Sequence, residues 1–146
     1  MKTTSTRAGQ MALIDTKTFA DEVKKRAEKL KEKSLMEIGI VVEGDAKLLT
    51  PVKSGRLAAS ITTQSTTGGT QMDTAAGIVA TDKILPPRSQ NEVFVGSAVD
   101  YAPYVEYGTV RSAAQPFLRP ALNMAYGKVP NIVKNGAKTE FGDYIS

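Results

Sequence analysis

The chain contains no cysteine and no histidine. Without cysteine there is no disulfide and no thiolate nucleophile, and without either residue type the usual ligand sets of structural zinc are missing. Every acid–base scheme built on an imidazole is excluded as well. The phosphate-binding pattern G-x-x-x-x-G-K-[ST] and the dinucleotide-binding pattern G-x-G-x-x-G are both absent. No stretch approaches the ~18 apolar residues that a membrane-spanning helix needs. Residues 1–11 are polar and threonine-rich, without the apolar centre of a signal peptide. A soluble product made in a cytoplasm, with no membrane partner and no cofactor, is expected.

What is present suits one domain. Of 146 residues 41% are hydrophobic and 23% charged, enough for a core in a chain that can bury roughly 65–70% of its unfolded surface. The net charge is +4, spread along the sequence: +2 in residues 1–14, −1 in 15–45 and +3 in 46–146. Dedicated nucleic-acid binders concentrate their charge on one face, so a solvated surface is the simpler account and a DNA-binding module the alternative.

Residues 1–14 have no usable period and are expected to form a flexible arm. From residue 16 the positions Phe19, Val23, Ala27, Leu30, Ser34, Ile38, Val41, Asp45 and Leu49 step by three or four, and seven of the nine are apolar, which predicts one face of a long helix. Asp15 or Thr18 can cap its start. Gly39 and Gly44 weaken it by about 1 kcal/mol each and mark possible kinks, and Pro51 requires it to stop by Thr50. Residues 50–60 predict a turn and a short helical piece. Residues 61–81 resemble a hairpin turning at Gly68-Gly69-Thr70, and 82–90, with adjacent prolines, form a loop. In 91–98, Val93 and Val95 face one way and Glu92 and Phe94 the other, as in a strand. From Gln115 a second helix is expected, with Pro116 in its first turn and Phe117, Leu118, Ala121, Leu122 and Ala125 at helical spacing. The pattern weakens after Gly127. The expected fold is α+β: a long N-terminal helix on a small antiparallel sheet of three or four strands, with a C-terminal helix. The domain spans 15–127 and is followed by a partly helical tail, 128–146.

Few groups are left that could do chemistry. Asp100 and Glu106 flank a tyrosine segment, but a hydrolytic carboxylate pair needs a cleft that nothing in the sequence predicts. Ser54 and Ser60 have no base beyond Lys53. Tyr101, Tyr104 and Tyr107 are more informative, because residues three apart line one face of a helical turn. Rings with an apolar body and a polar tip suit either the packing of sheet against helix or a contact between subunits.

Two stretches carry a specific resemblance. The first is Thr50-Pro51-Val52-Lys53-Ser54-Gly55-Arg56-Leu57-Ala58-Ala59-Ser60-Ile61. The second starts at Val95-Gly96, continues through Tyr101-Ala102-Pro103-Tyr104-Val105-Glu106-Tyr107-Gly108-Thr109, and ends in Gln115-Pro116-Phe117-Leu118-Arg119-Pro120-Ala121. In order and spacing these resemble the signatures of the gene-product-ten-like family of tailed-phage tail components, linked with head–tail joining and tail completion. Lys53 stands where an acidic residue is common in that family, and the loop 82–90 is longer than usual. The resemblance implies a structural virion protein of a long-tailed bacteriophage, without catalytic residues or cofactor. It would assemble with copies of itself into a ring, often six-fold, at the neck. Its partners there would be a head-side adaptor or connector and a tail-side terminator or tube protein, with phage DNA passing by. Tail terminator or minor tail protein is the neighbouring alternative, and a DNA-binding or channel-gating module the alternative of another class.

The residues expected to mark the fold or an interface are Pro51, Gly55, Leu57, Tyr101, Tyr104, Glu106, Tyr107, Gly108, Pro116, Phe117 and Pro120. Gly55 and Gly108 would set turns, Gly96 would admit a close neighbour, and Glu106 would bond a hydroxyl or pair with Arg56 or Arg119. Phe117 and Leu118 would pin the second helix to the sheet. The arm, the loop 82–90 and the tail would supply ring contacts.

Overall fold

A computed structural model describes residues 4–51, 53, 55–70 and 87–145, with side chains from 17 to 142. Helix α1 (Thr4–Leu49) is followed by the one-turn α2 (Arg56–Ala59), strand β1 (Ile61–Gln64), strand β2 (Phe94–Ser97), the short α3 (Ala102–Tyr107) and α4 (Leu118–Ile145). The class is α+β, as the periodicities predict.

The long helix ends where Pro51 requires, with Thr50 Oγ1 donating to the Ala46 carbonyl at 2.7 Å. It also extends further back than expected. The stretch 1–14, expected as an arm, is helical from Thr4 onward; Ala8, Gln10, Met11, Ala12 and Leu13 are all adequate helix formers, and no proline interrupts them. The buried face departs from the predicted stripe by one residue in its second half. Ser34 is buried as expected, but then Val42, Ala46 and Thr50 face inward, while Leu49 is exposed. A step of four from Ile38 keeps the stripe on a helix face better than the step of three to Val41.

α1 continues through Gly39 without a break in its helical assignment. A Cβ at that position would lie 2.5 Å from Thr63 Cγ2 and 2.8 Å from Val93 Cγ2, so the missing side chain lets the helix lie directly against the sheet. Gly44 has open space around it.

The sheet has two strands among the described residues, not three or four. β1 and β2 are antiparallel, with Ile61 opposite Ser97 and Gln64 opposite Phe94. The turn at Gly68-Gly69 forms, with Ser65 N donating to Gly68 O and Thr70 N to Thr63 O. The expected return strand, 72–81, lies outside the described residues, as does most of the loop 82–90. Ile61, Thr62 and Thr63 are all buried, and α1 packs against the strand.

The second helix begins at Leu118, three residues later than expected, and does not weaken into a tail. It runs 28 residues through Gly127 and Pro130. A proline inside a helix removes one hydrogen bond and costs about 3 kcal/mol; packing on α1 offsets it. Ala121, Ala125, Ile132 and Glu140 are buried on one face of α4. Gly136 lies so close to α1 that a Cβ there would stand 2.7 Å from Leu30 Cδ1. Lys128 Nζ reaches Asp45 at 2.7 Å, and Arg26 Nη1 donates to the Glu140 carbonyl at 3.0 Å. Residues 128–142 thus pack against α1 along this face. Val42, Ala46, Leu57, Ile61, Val99, Ala102, Phe117, Ala121 and Ala125 form one core between α1, the sheet and the start of α4.

Candidate assembly surface

The two recognisable stretches meet in space. α2 is entered through Gly55 at φ 68°, and its Leu57 is buried in the core. β2 leads through buried Ala98 and Val99 into α3, which has proline in its first turn and ends at Gly108 with φ 77°. Both glycines adopt a left-handed backbone that other residues avoid. At Gly108 there is also no room, since a Cβ would lie 2.7 Å from Ala114 N. Gly96, in contrast, has no described neighbour within 4 Å of a Cβ, so the expected close approach there is absent.

Glu106 is the organising side chain. It is buried, and its Oε2 accepts the N–H groups of Phe117 at 2.7 Å and Leu118 at 2.9 Å, while Oε1 accepts that of Arg119 at 3.1 Å. These are the first unpaired donors of α4. The next residue, Pro120, has no N–H to satisfy, and Ala121 N returns to Phe117 O. One carboxylate from eleven residues upstream thus completes a helix start whose own sequence offers no capping side chain. The charge also sits at the positive end of the helix. Burial works against ionisation of Glu106, but the three N–H groups and the Arg119 guanidinium, 3.4 Å away, outweigh it and hold its pKa below the ordinary 4.5.

The expected pairing of Glu106 with a hydroxyl or with Arg56 does not occur, and that with Arg119 does. A hydrolytic role fits poorly. Asp100 and Glu106 line one hollow of about 380 Å³, but a general acid needs a raised pKa, and the lone pairs of Glu106 are spent on backbone. Ser60 is also committed, donating to Leu57 O at 2.7 Å and lying 2.6 Å from Ser97 Oγ. Ser54 lies outside the described residues. No group of His, Cys, Asp and Glu suited to a metal occurs among the described residues, and no described helix is long and apolar enough to cross a membrane.

The tyrosines face outward. Tyr101 is 38% exposed, Tyr104 63% and Tyr107 67%, so they do not pack the sheet against a helix. Their neighbours Ala102, Val105 and Glu106 take the inward positions instead. The Arg119 guanidinium stacks 4.5 Å over the Tyr107 ring. Phe117 is fully buried, as expected of a residue pinning α4, with Leu118 packed at the core edge. Pro116 is exposed and Pro120 half-buried. The loop between α3 and α4 carries a tight turn. Thr109 N donates to Ser112 O at 2.8 Å, and Thr109 Oγ1 accepts the N–H groups of Arg111 and Ser112. At its tip Val110 is fully exposed.

Pro51, Lys53 and Leu57 of the first stretch and Tyr101, Tyr104, Val105, Thr109, Ser112, Ala113 and Gln115 of the second enclose a groove of about 250 Å³.

Sequence reasoning missed two other carboxylates. Glu43 lies inward on α1 and accepts hydrogen bonds from Thr63 Oγ1 at 2.7 Å, Thr70 Oγ1 at 2.6 Å and Lys47 Nζ at 2.6 Å. Burial opposes its charge, yet Lys47 and the two hydroxyls prevail and its pKa is lowered. Glu140, on α4, has its pKa lowered chiefly by its bond to Lys33, with Lys29 adding to it. The i, i+4 spacing of Glu43 and Lys47 was visible in the sequence, but the threonine partners were not.

The family model described as "Bacteriophage HK97-gp10, putative tail-component" matches residues 15–108, which takes in α1 from its fourth turn, the sheet and α3. Neither a curated protein nor a solved structure matches the chain. The match covers well over half of the sequence, and the chain belongs to the HK97-gp10-like family of bacteriophage tail components.

Proposed function

We propose that the chain is a structural, non-enzymatic neck protein, a head–tail joining or tail-completion subunit that forms a ring with copies of itself. The ring would stand between head-side adaptor and tail-side terminator or tube proteins. The observation that carries this reading is the gathering of both signature stretches around an outward tyrosine surface, with the buried carboxylate of Glu106 used to fix a helix start. Head-to-tail contacts between copies are what build a ring.

Mass spectrometry of purified virions and reconstruction of their necks test the proposal. The expected result is the chain in a ring at the head–tail junction, and in its absence filled heads beside complete, unattached tails. A chain missing from mature virions would overturn it, and overlong tails in the deletion would assign it to tail termination instead.

A further inference from the structure

We infer that the groove between α2 and α3 receives an acidic segment of a neighbouring virion protein, with one apolar or aromatic side chain inserted and carboxylates on the rim. This rests on the tyrosine surface being an assembly surface. Three observations point to the chemistry of the occupant.

The first is the groove itself. At about 250 Å³ it falls below the ~300 Å³ at which small-molecule sites begin, and is of a size for one anchoring side chain. Pro51, Leu57, Val105 and the rings of Tyr101 and Tyr104 supply apolar walls. Thr109, Ser112 and Gln115 supply a polar edge, and the turn that carries two of them is already fixed by four hydrogen bonds. Binding there orders little that is not ordered already.

The second is charge. Lys53 lines the groove, Arg56 opens α2 beside Leu57, and Arg111 sits in the turn that forms one wall. None of these three side chains is ion-paired with a described residue, and all are exposed. Some cations elsewhere have carboxylates close at hand, Glu140 for Lys29 and Lys33, Glu43 for Lys47, Asp45 for Lys128; what sets these three apart is that they surround the groove. Among the described residues the acids in this region are Asp100, which is exposed, and Glu106, whose charge is taken by the α4 start and Arg119. The surplus of described charge is positive and faces out.

The third is the residue mixture. Tyrosine and arginine around an apolar pocket are the side chains that dominate protein–protein contacts. Duplex DNA is the other anionic candidate, but a protein gripping it uses roughly 6–10 phosphate contacts, and three cations around a side-chain-sized groove do not provide a track.

The test is an NMR titration of the full ¹⁵N-labelled chain with a glutamate–tyrosine copolymer, polyglutamate and a short DNA duplex. The expected result is perturbation centred on Tyr101, Tyr104 and Thr109 to Gln115 by the copolymer, stronger than by polyglutamate. Lys53→Glu with Arg111→Glu should weaken it by about tenfold or more, and Tyr104→Ala by about as much. All three positions are exposed, so an unchanged thermal midpoint confirms that the variants fold. Three outcomes would overturn the inference: no perturbation at these residues, duplex binding there as tightly as the copolymer, or a change in the sedimentation of the chain alone in the charge variant, which would make a second copy the occupant. Presence in virions is scored separately, so a failed titration with the chain still in the neck removes this inference and leaves the assembly reading standing.

Discussion

α4 is held at its two ends by a glutamate, and the two glutamates work differently. Glu106 is buried and spends its oxygens on backbone N–H groups at the α4 start. Glu140, five residues before the end of α4, meets the ammonium groups of Lys29 and Lys33, which are themselves exposed. Both pKa values are lowered. The donors of Glu106 cannot move without unwinding the helix, and water replaces them poorly. Those of Glu140 are long flexible side chains that water can replace. The same downward shift therefore belongs to a structural keystone at one end and, at the other, to a buried carboxylate met by exposed, screened ammonium groups.

Removing Glu106 breaks the comparison most directly. Glu106→Ala leaves three donors of α4 without their acceptor and a buried gap, and is expected to cost about 3–5 kcal/mol in urea denaturation. A loss under about 1 kcal/mol would mean that water caps the helix as well as the carboxylate does. Gly136→Val wedges the α1–α4 contact at Leu30 and Ser34 and should cost about 1–3 kcal/mol. Together the two variants show whether α4 depends more on its start or on its middle.

Next in size is the pH dependence. Glu106 and Glu43 both have folded pKa values below 4.5. Their contribution is complete above the unfolded value and is lost as pH falls through the folded one, because the unfolded chain takes up those protons first. Stability should be flat with respect to these groups from pH 7 to about 5, then fall on further acidification. Glu106→Gln should flatten that acid limb, and an unchanged limb would move its cause elsewhere. The smallest effect is expected from Glu140→Gln, with a thermal midpoint close to that of the parent at moderate salt. A drop rivalling that of Glu106→Ala would erase the distinction between the two ends.

The sequence and the structure diverge at particular residues for identifiable reasons. The α1 stripe was legible at Val23, Leu30, Ser34 and Ile38, while Phe19 and Ala27 on it are exposed; it slipped by one residue after Gly39, because Val41 and Val42 are equally apolar and only the sheet decides which of them is covered. The α4 pattern faded at Gly127 and Pro130, where local propensity favours a stop; α1 supplies the surface on which it continues. Tyr104 and Tyr107 lie on α3 with Tyr101 at its N-cap, yet their spacing could not say which way they face. Glu106 stood out as a charged group among tyrosines, but its partners are backbone atoms eleven to thirteen residues on, which no side-chain pattern records.

By itself the sequence determined the class of the fold, the long helix and its stop before Pro51, the turns at Gly55 and Gly108, the burial of Phe117 and the family. These depend on short-range sterics, helical period and motif order, all of which are local in the chain. The tertiary structure alone decided that α4 runs unbroken past Pro130, that Glu106 caps it, that Glu43 binds the sheet through Thr63 and Thr70, and that Lys53, Arg56 and Arg111 share a surface with the tyrosines. Each of these depends on which distant segments are brought together, since burial and hydrogen-bond partners are set by neighbours in space rather than in sequence.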